Sequence, residues 1–195
     1  MQQNLVLKNV IIIAILFIFN TSSFSQKNEQ CLIILGAEHR YTQITNTKSS
    51  TQEVIDNINS VINKFNSDKI IYVYSIHKAL SLSFKGIKTV QDSVGMIRDK
   101  RLNIVNDNII TKEEVNAFEN KDLIQFLQNN KIKDVVIVGF MADYYIKESL
   151  LGGNELGYNM YFIPEAIMGK SEKNKEKVFE KLSEKGIKQL SMNEI

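Results

Sequence analysis

The sequence predicts an α/β fold, a three-layer helix–sheet–helix domain around a mostly parallel, doubly wound sheet of six strands. Short apolar runs alternate along the chain with amphipathic segments, and such alternation is typical of right-handed strand–helix–strand units. Residues 32–35 and 135–138 are apolar at every position. Continuous apolar runs are expected of parallel strands that helices cover on both faces.

The elements follow in order from these patterns. Six strands are predicted at residues 31–35, 69–76, 102–106, 134–139, 158–163 and 187–190. Apolar residues spaced by three and four predict helices around residues 54–65, 123–127 and 178–182. Residues 78–101 show the least regular pattern and are interpreted as a long loop or a short helix over the sheet. The pair Gly152–Gly153 is predicted to break or end the helix that it follows.

The first 25 residues resemble a secretory signal peptide, which leaves residues 26–195 as the mature domain. Lys8 precedes a ten-residue apolar run at 10–19, and small side chains follow at Ser23 and Ser25. We therefore expect a secreted or periplasmic protein with no membrane contact after cleavage. The alternative is a retained N-terminal anchor, although the apolar run is shorter than the ~20 residues of a membrane span.

Charge and cysteine content narrow the function classes. The formal net charge is +2, which gives no reason to expect a nucleic-acid partner. Cys31 is the single cysteine, so an intramolecular disulfide and a cysteine-based zinc site are excluded. Because Cys31 opens the first strand, we expect it at the end of the sheet opposite the ligand crevice, as a small buried hydrophobic residue.

In doubly wound sheets ligands bind beyond the carboxyl ends of the strands, where the strand order reverses. The residues after 35, 139 and 163 are therefore the candidates for a site. The motifs near these ends occur in a distinctive order: KEEVNAF at 112–118, an apolar strand ending in Gly139, FMADYYIKES at 140–149, Gly157–Tyr158, and FIPEA at 162–166. From residue 31 onward this order resembles the isochorismatase-like cysteine hydrolases, which include nicotinamidases and N-carbamoyl amidohydrolases.

The resemblance implies a catalytic Asp, Lys and Cys, and these positions fall on Gly36, Lys112 and Tyr145. In the family the thiolate attacks a carbonyl, the Asp transfers the proton and the Lys stabilises negative charge. Only the Lys is present in this chain. A phenol with a pKa near 10 is a poor substitute for a thiol with a pKa near 8.5. The resemblance also predicts a cis peptide bond near residues 140–141.

Glu38 and His39 follow the first strand and leave alternatives open. Glu38 either replaces the missing acid, and pairs with Lys112, or is a solvated loop residue; the solvated interpretation is favoured because most Glu side chains are exposed. His39 lies near the predicted crevice or on the surface. By the same resemblance, small-molecule binding residues are expected at His39, Phe118, Phe140, Met141 and Ala142.

No cofactor or metal is expected. Metal-dependent relatives place an Asp and two His after the second strand, and these positions become Ser75, His77 and Ser81. One imidazole among three ligands does not hold a catalytic metal.

Three hypotheses remain open. The first is a catalytically impaired pseudo-hydrolase that acts as a binding or scaffold module for an unknown small molecule. The second is an active hydrolase of amide, carbamoyl or vinyl-ether substrates that uses Lys112 with Glu38 or His39. The third is a surface-interaction protein that works as a homo-oligomer, since family members are often dimers or tetramers.

Overall fold

The computed structural model describes residues 30–43, 51–76, 78–84, 86–91 and 97–195. The predicted signal peptide lies outside these ranges and stays a prediction. None of the described helices has the length and apolar character that a membrane crossing requires.

The strands and helices alternate over most of the described chain. The strands are β1 (Gln30–Leu35), β2 (Ile70–Ser75), β3 (Lys78–Ser83), β4 (Gly86–Gln91), β5 (Ile109–Lys112), β6 (Asp134–Phe140), β7 (Asn159–Met168) and β8 (Lys188–Gln189). The α-helices are α1 (His39–Thr42), α2 (Thr51–Ile62), α3 (Lys121–Asn129), α4 (Lys147–Glu155) and α5 (Glu172–Glu184). A π-helical turn at Ala142–Ile146 leads into α4.

Six strands form one sheet in the order β5-β2-β1-β6-β7-β8, and every pairing in it is parallel. The predicted fold class is therefore confirmed. The chain moves outward from β1 through β2 to β5, and then returns to β6 on the other side of β1. This reversal makes the boundary between β1 and β6 the topological switch point, where ligands bind in such folds.

Alternate side chains of the central strand face two separate cores. Cys31, Ile33 and Leu35 pack in one cluster with apolar residues of α3, α4 and α5. Leu32 and Ile34 pack in the other cluster with α2. Both clusters are almost fully buried, which explains why this strand is apolar at successive positions.

The predicted strand at 102–106 is wrong. The third strand of the six-stranded sheet in chain order is β5, at Ile109–Lys112. Tyr72 of β2 satisfies the backbone of the expected segment: its hydroxyl donates to Asn103 O at 3.0 Å and accepts from Val105 N–H at 3.1 Å. Because a side chain takes these backbone groups, the segment runs along the sheet without pairing to it.

Two further expectations need correction. The region 78–101 contains an antiparallel hairpin, β3 with β4, where a loop or short helix was expected. The pair Gly152–Gly153 lies inside α4, which continues to Glu155. A Cβ at Gly153 would come within 2.5 Å of Met160 Sδ and 2.7 Å of Phe118 Cζ. The pair therefore allows close helix packing and does not end the helix.

Candidate functional site at the carboxyl ends of the strands

The switch point brings together three segments that are far apart in sequence. The residues after β1, the last residue of β5 and the turn after β6 meet at the carboxyl edge of the sheet. These segments carry Glu38, Lys112 and Tyr145, and all three side chains are buried. The structure therefore groups residues that the sequence singled out separately.

Glu38 is fully buried, so the expectation of a solvated loop residue is wrong. It precedes α1, and its Oε1 accepts a hydrogen bond from the backbone N–H of Ser75 at 2.5 Å. Its Oε2 is buried and has no hydrogen-bond partner within the part of the chain that the structure describes. Burial raises the pKa of the carboxyl to about 7, although the Ser75 hydrogen bond and the charges of Lys112 and Arg40 lower it.

Lys112 ends β5 directly beside Ser75, which is its register partner in β2. Its Nζ is held by the carbonyl oxygens of Glu114 at 2.6 Å and Val115 at 3.2 Å. Burial lowers the pKa of the ammonium to about 8, while the charge of Glu38 acts in the opposite direction. Lys112 and Glu38 thus form an electrostatically coupled buried pair of an acid and a base.

Tyr145 lies on the π-helical turn, with its ring over the ammonium group of Lys112. The distance from Nζ to the ring centroid is 4.0 Å, which is a cation–π contact. The Tyr145 hydroxyl lies 2.9 Å from the hydroxyl of Tyr41, and the ring of Tyr144 lies 4.9 Å away on another side. Burial, followed by the hydrogen bond to Tyr145, raises the pKa of Tyr41 above its usual range. The Tyr41 phenol is therefore neutral at physiological pH.

Gly36 leaves no carboxylate at the position where the family resemblance places the catalytic acid. Its φ is +67°, and a Cβ there would lie 3.1 Å from the carbonyl oxygen of Phe140. A side chain at residue 36 would be strained in this backbone conformation. The carboxylate available at this edge of the sheet is that of Glu38, two residues further along.

The other predicted binding residues are distributed differently. His39 is exposed, and its backbone N–H donates to Ile97 O at 2.7 Å. Phe118, Phe140 and Ala142 are buried core residues. Met141 packs against one core cluster in the left-handed conformation, with φ 66°, and the peptide bonds of the described residues are all trans, so the cis bond near 140–141 is not found.

The structure adds Tyr41 and the loop at residues 97–101, which the sequence reasoning missed. Tyr41 contacts Tyr145 across 104 positions of sequence, and no local pattern signals such a pair. Backbone hydrogen bonds join this loop to the residues on either side of Glu38, and one of them runs from Asp99 N–H to Ala37 O at 3.0 Å.

The structure describes only part of the region where metal-dependent relatives carry their ligands. His77 lies outside the described residues, and Ser75 ends β2 with a buried hydroxyl. No group of three or more His, Cys, Asp or Glu side chains is arranged for a metal ion within the described ranges. Cys31 is buried at the start of β1, as predicted, and burial raises the pKa of its thiol. The grouped chemistry is therefore an acid, a cation and a phenol.

The structure is a doubly wound α/β protein that carries a Lys and a carboxyl at the switch point, where folds of this class bind their ligands. The isochorismatase domain model matches residues 30–194. The chain belongs to the isochorismatase family.

Individual relatives are distant. The chain is 21% identical over 148 residues to the secreted isochorismatase effector Isc1 of Verticillium dahliae, covering 74% of this chain and 75% of that protein. The pyrazinamidase of Pyrococcus horikoshii, solved in complex with zinc, is 23% identical with a TM-score of 0.69, over 84% of this chain and 99% of that one. The octameric hydrolase YcaC of Escherichia coli, of unknown specificity, is 12% identical with a TM-score of 0.64, over 86% and 78%.

Proposed function

We propose that this protein is an exported isochorismatase-family domain that has lost cysteine-dependent hydrolysis and acts as a binding module. The observation that carries the proposal is Tyr145, which falls where the family resemblance expects the nucleophile and whose ring centroid lies 4.0 Å from Lys112 Nζ. Gly36, at the position where the resemblance expects the acid, supports the proposal further.

The geometry argues against Tyr145 as a nucleophile. Its hydroxyl is engaged by Tyr41 at 2.9 Å, and a phenol oxygen lies several ångströms further from the backbone than a thiol sulfur. Loss of a nucleophile typically removes many powers of ten in rate.

Export and assembly are part of the same proposal. The predicted signal peptide supports export, and a relative described as a secreted effector supports it further. A homo-oligomer is supported by the octameric state of YcaC. Light scattering of the purified protein tests the assembly, and N-terminal sequencing of the exported protein tests cleavage near Ser25.

An assay panel of nicotinamide, pyrazinamide, an N-carbamoyl amino acid and isochorismate tests the loss of catalysis. We expect no turnover above buffer for the wild type. The control is Lys112→Ala, which identifies turnover that arises from this site. Turnover of an amide by the wild type that disappears in Lys112→Ala would overturn the proposal.

A second candidate function rests on Glu38. Hydrolysis of a vinyl ether needs no nucleophilic side chain, because protonation of the double-bond carbon starts the reaction. Water then adds to the resulting oxocarbenium ion, and the hemiketal releases the alcohol. A carboxyl with a pKa of about 7 is about half protonated at neutral pH and fits this general acid role. The exposed position of His39 makes Glu38 the better candidate of the two.

Two substitutions separate the candidates. If Glu38 is the acid, Glu38→Gln removes isochorismate turnover, and Tyr145→Phe, which keeps the ring over Lys112, leaves it within a few-fold of the wild type. Unchanged turnover in Glu38→Gln would exclude Glu38 as the proton donor.

A further inference from the structure

A cationic pocket lies next to the buried Glu38, Lys112 and Tyr145 and is separate from these three side chains. The pocket has a volume of about 530 Å³ and is lined by His39, Gln43 and the loop at residues 97–101. Arg98 and Lys100 on that loop are exposed. Neither side chain has a carboxylate within ion-pair distance in the described part of the chain.

The acidic residue in the lining is already neutralised. Asp99 accepts hydrogen bonds from Arg101 Nε at 2.8 Å and from another guanidinium nitrogen of Arg101 at 2.6 Å. This bidentate ion pair holds the pKa of Asp99 well below its usual range. Within the described residues, the charges of Arg98 and Lys100 are therefore left without a carboxylate partner.

Backbone contacts fix the pocket beside Glu38. His39 N–H donates to Ile97 O at 2.7 Å, and Asp99 N–H donates to Ala37 O at 3.0 Å. Between these two bonds Glu38 and Arg98 form an antiparallel bridge. The backbone of the pocket is thus held on the segment that carries the buried acid.

The positive charge of Arg98 also acts on the buried core residue Tyr74. Burial raises the pKa of this phenol, and the charge of Arg98 lowers it. Tyr74 packs in the core and is not among the residues that line the pocket, so the proposed anion contacts are those of the lining residues.

We propose that this pocket binds the carboxylate or phosphate group of a small molecule, with Arg98 and Lys100 as its principal cationic contacts. The proposal deepens the binding function proposed above by naming the charge class of its ligand. It holds whether or not the neighbouring site retains catalysis.

The test is calorimetric titration of the purified protein with inorganic phosphate and with succinate, using uncharged succinamide as the negative probe. We expect at least one anion to bind and succinamide not to bind. Binding of phosphate alone would identify the ligand group as a phosphate, and binding of succinate alone would identify it as a carboxylate. Failure of both anions to bind at 10 mM would overturn the proposal.

Paired variants locate the binding. Removal of two charges in Arg98→Gln/Lys100→Gln is expected to weaken anion binding by about tenfold or more. The matched control Lys133→Gln/Lys185→Gln removes two charges from the amino-terminal edge of the sheet, and its affinity should stay within about twofold of the wild type. Equal weakening in both variants would show a general charge effect and no site.

Two further variants keep the test decisive. Gln43→Glu places a carboxylate at an exposed position of the pocket lining. It should weaken anion binding by charge repulsion without disturbing the fold. Lys112→Met removes the cation of the neighbouring site. Anion binding that is lost in Lys112→Met and retained in Arg98→Gln/Lys100→Gln would place the anion at the strand ends, which refutes this pocket but leaves the proposed binding function standing.

Discussion

Glu38 gives the strongest prediction about pH-dependent stability. The carboxyl is fully buried, and burial raises its pKa from an ordinary value near 4.5 to about 7. The substitution Glu38→Gln keeps an oxygen that accepts the Ser75 N–H and removes the titration. The substitution is predicted to change how steeply the free energy of unfolding varies with pH. Any loss of stability that is the same at every pH does not affect this slope.

The sign follows from proton binding. Between pH 4.5 and 7 the folded protein holds the Glu38 proton and the unfolded chain releases it, so stability falls as the pH rises. The full difference between the two pKa values corresponds to about 3 kcal/mol, of which about 2 kcal/mol falls between pH 5 and pH 7. Burial lowers the pKa of Lys112 in the folded protein to about 8, so this group makes stability rise with pH, but only above pH 8 and therefore outside this window.

Urea unfolding at pH 5, 6 and 7 measures the effect. The free energy of unfolding of the wild type should decrease by about 2 kcal/mol more than that of Glu38→Gln over this range. The control is Glu155→Gln, which removes an exposed carboxyl and should leave the wild-type slope unchanged. Parallel curves for the wild type and Glu38→Gln would refute the assignment of a neutral buried carboxyl.

Two other predictions concern packing. Gly153→Ala should destabilise the protein by about 1–2 kcal/mol in urea unfolding, because the new methyl group would come within 2.5 Å of Met160 Sδ and overpacking outweighs the gain in helix propensity; a more stable variant would contradict this packing. Cys31 should react with a thiol reagent such as DTNB only after denaturation, since the side chain is fully buried and its thiol pKa is raised. Rapid labelling of the native protein would show that β1 opens readily.

The central strands of the sheet could be predicted from the sequence because they have a local hydrophobic pattern. A strand covered on both faces is apolar at successive positions, and β1, β2 and β6 show this pattern. The edge strand β5 was assigned wrongly, to residues 102–106. This strand has only four residues, Ile109–Lys112, and is only partly buried. In the segment 102–106, the backbone groups of Asn103 and Val105 hydrogen-bond to the Tyr72 hydroxyl and not to a neighbouring strand.

The site shows the same division. The order of motifs placed Gly36, Lys112 and Tyr145 at the strand ends, because parallel strands bring their carboxyl ends to one edge. The environment of Glu38 was predicted wrongly. Its carboxylate accepts a hydrogen bond from the backbone N–H of Ser75, which is 37 residues away in the sequence. The partner of Tyr145 was missed for the same reason, because Tyr41 is 104 residues distant.

The sequence by itself determined the layers of the fold, the edge of the sheet where chemistry is expected and the absence of a thiol at the position where the family resemblance expects the nucleophile. These features depend on residue identity and on apolar patterns that repeat every few residues, and both are visible in the sequence. Only the tertiary structure decided that Glu38 is buried beside Lys112, that the ring of Tyr145 covers that cation, and that Arg98 and Lys100 line a neighbouring pocket. Burial and pKa depend on atoms that distant segments bring together, so no local pattern specifies them.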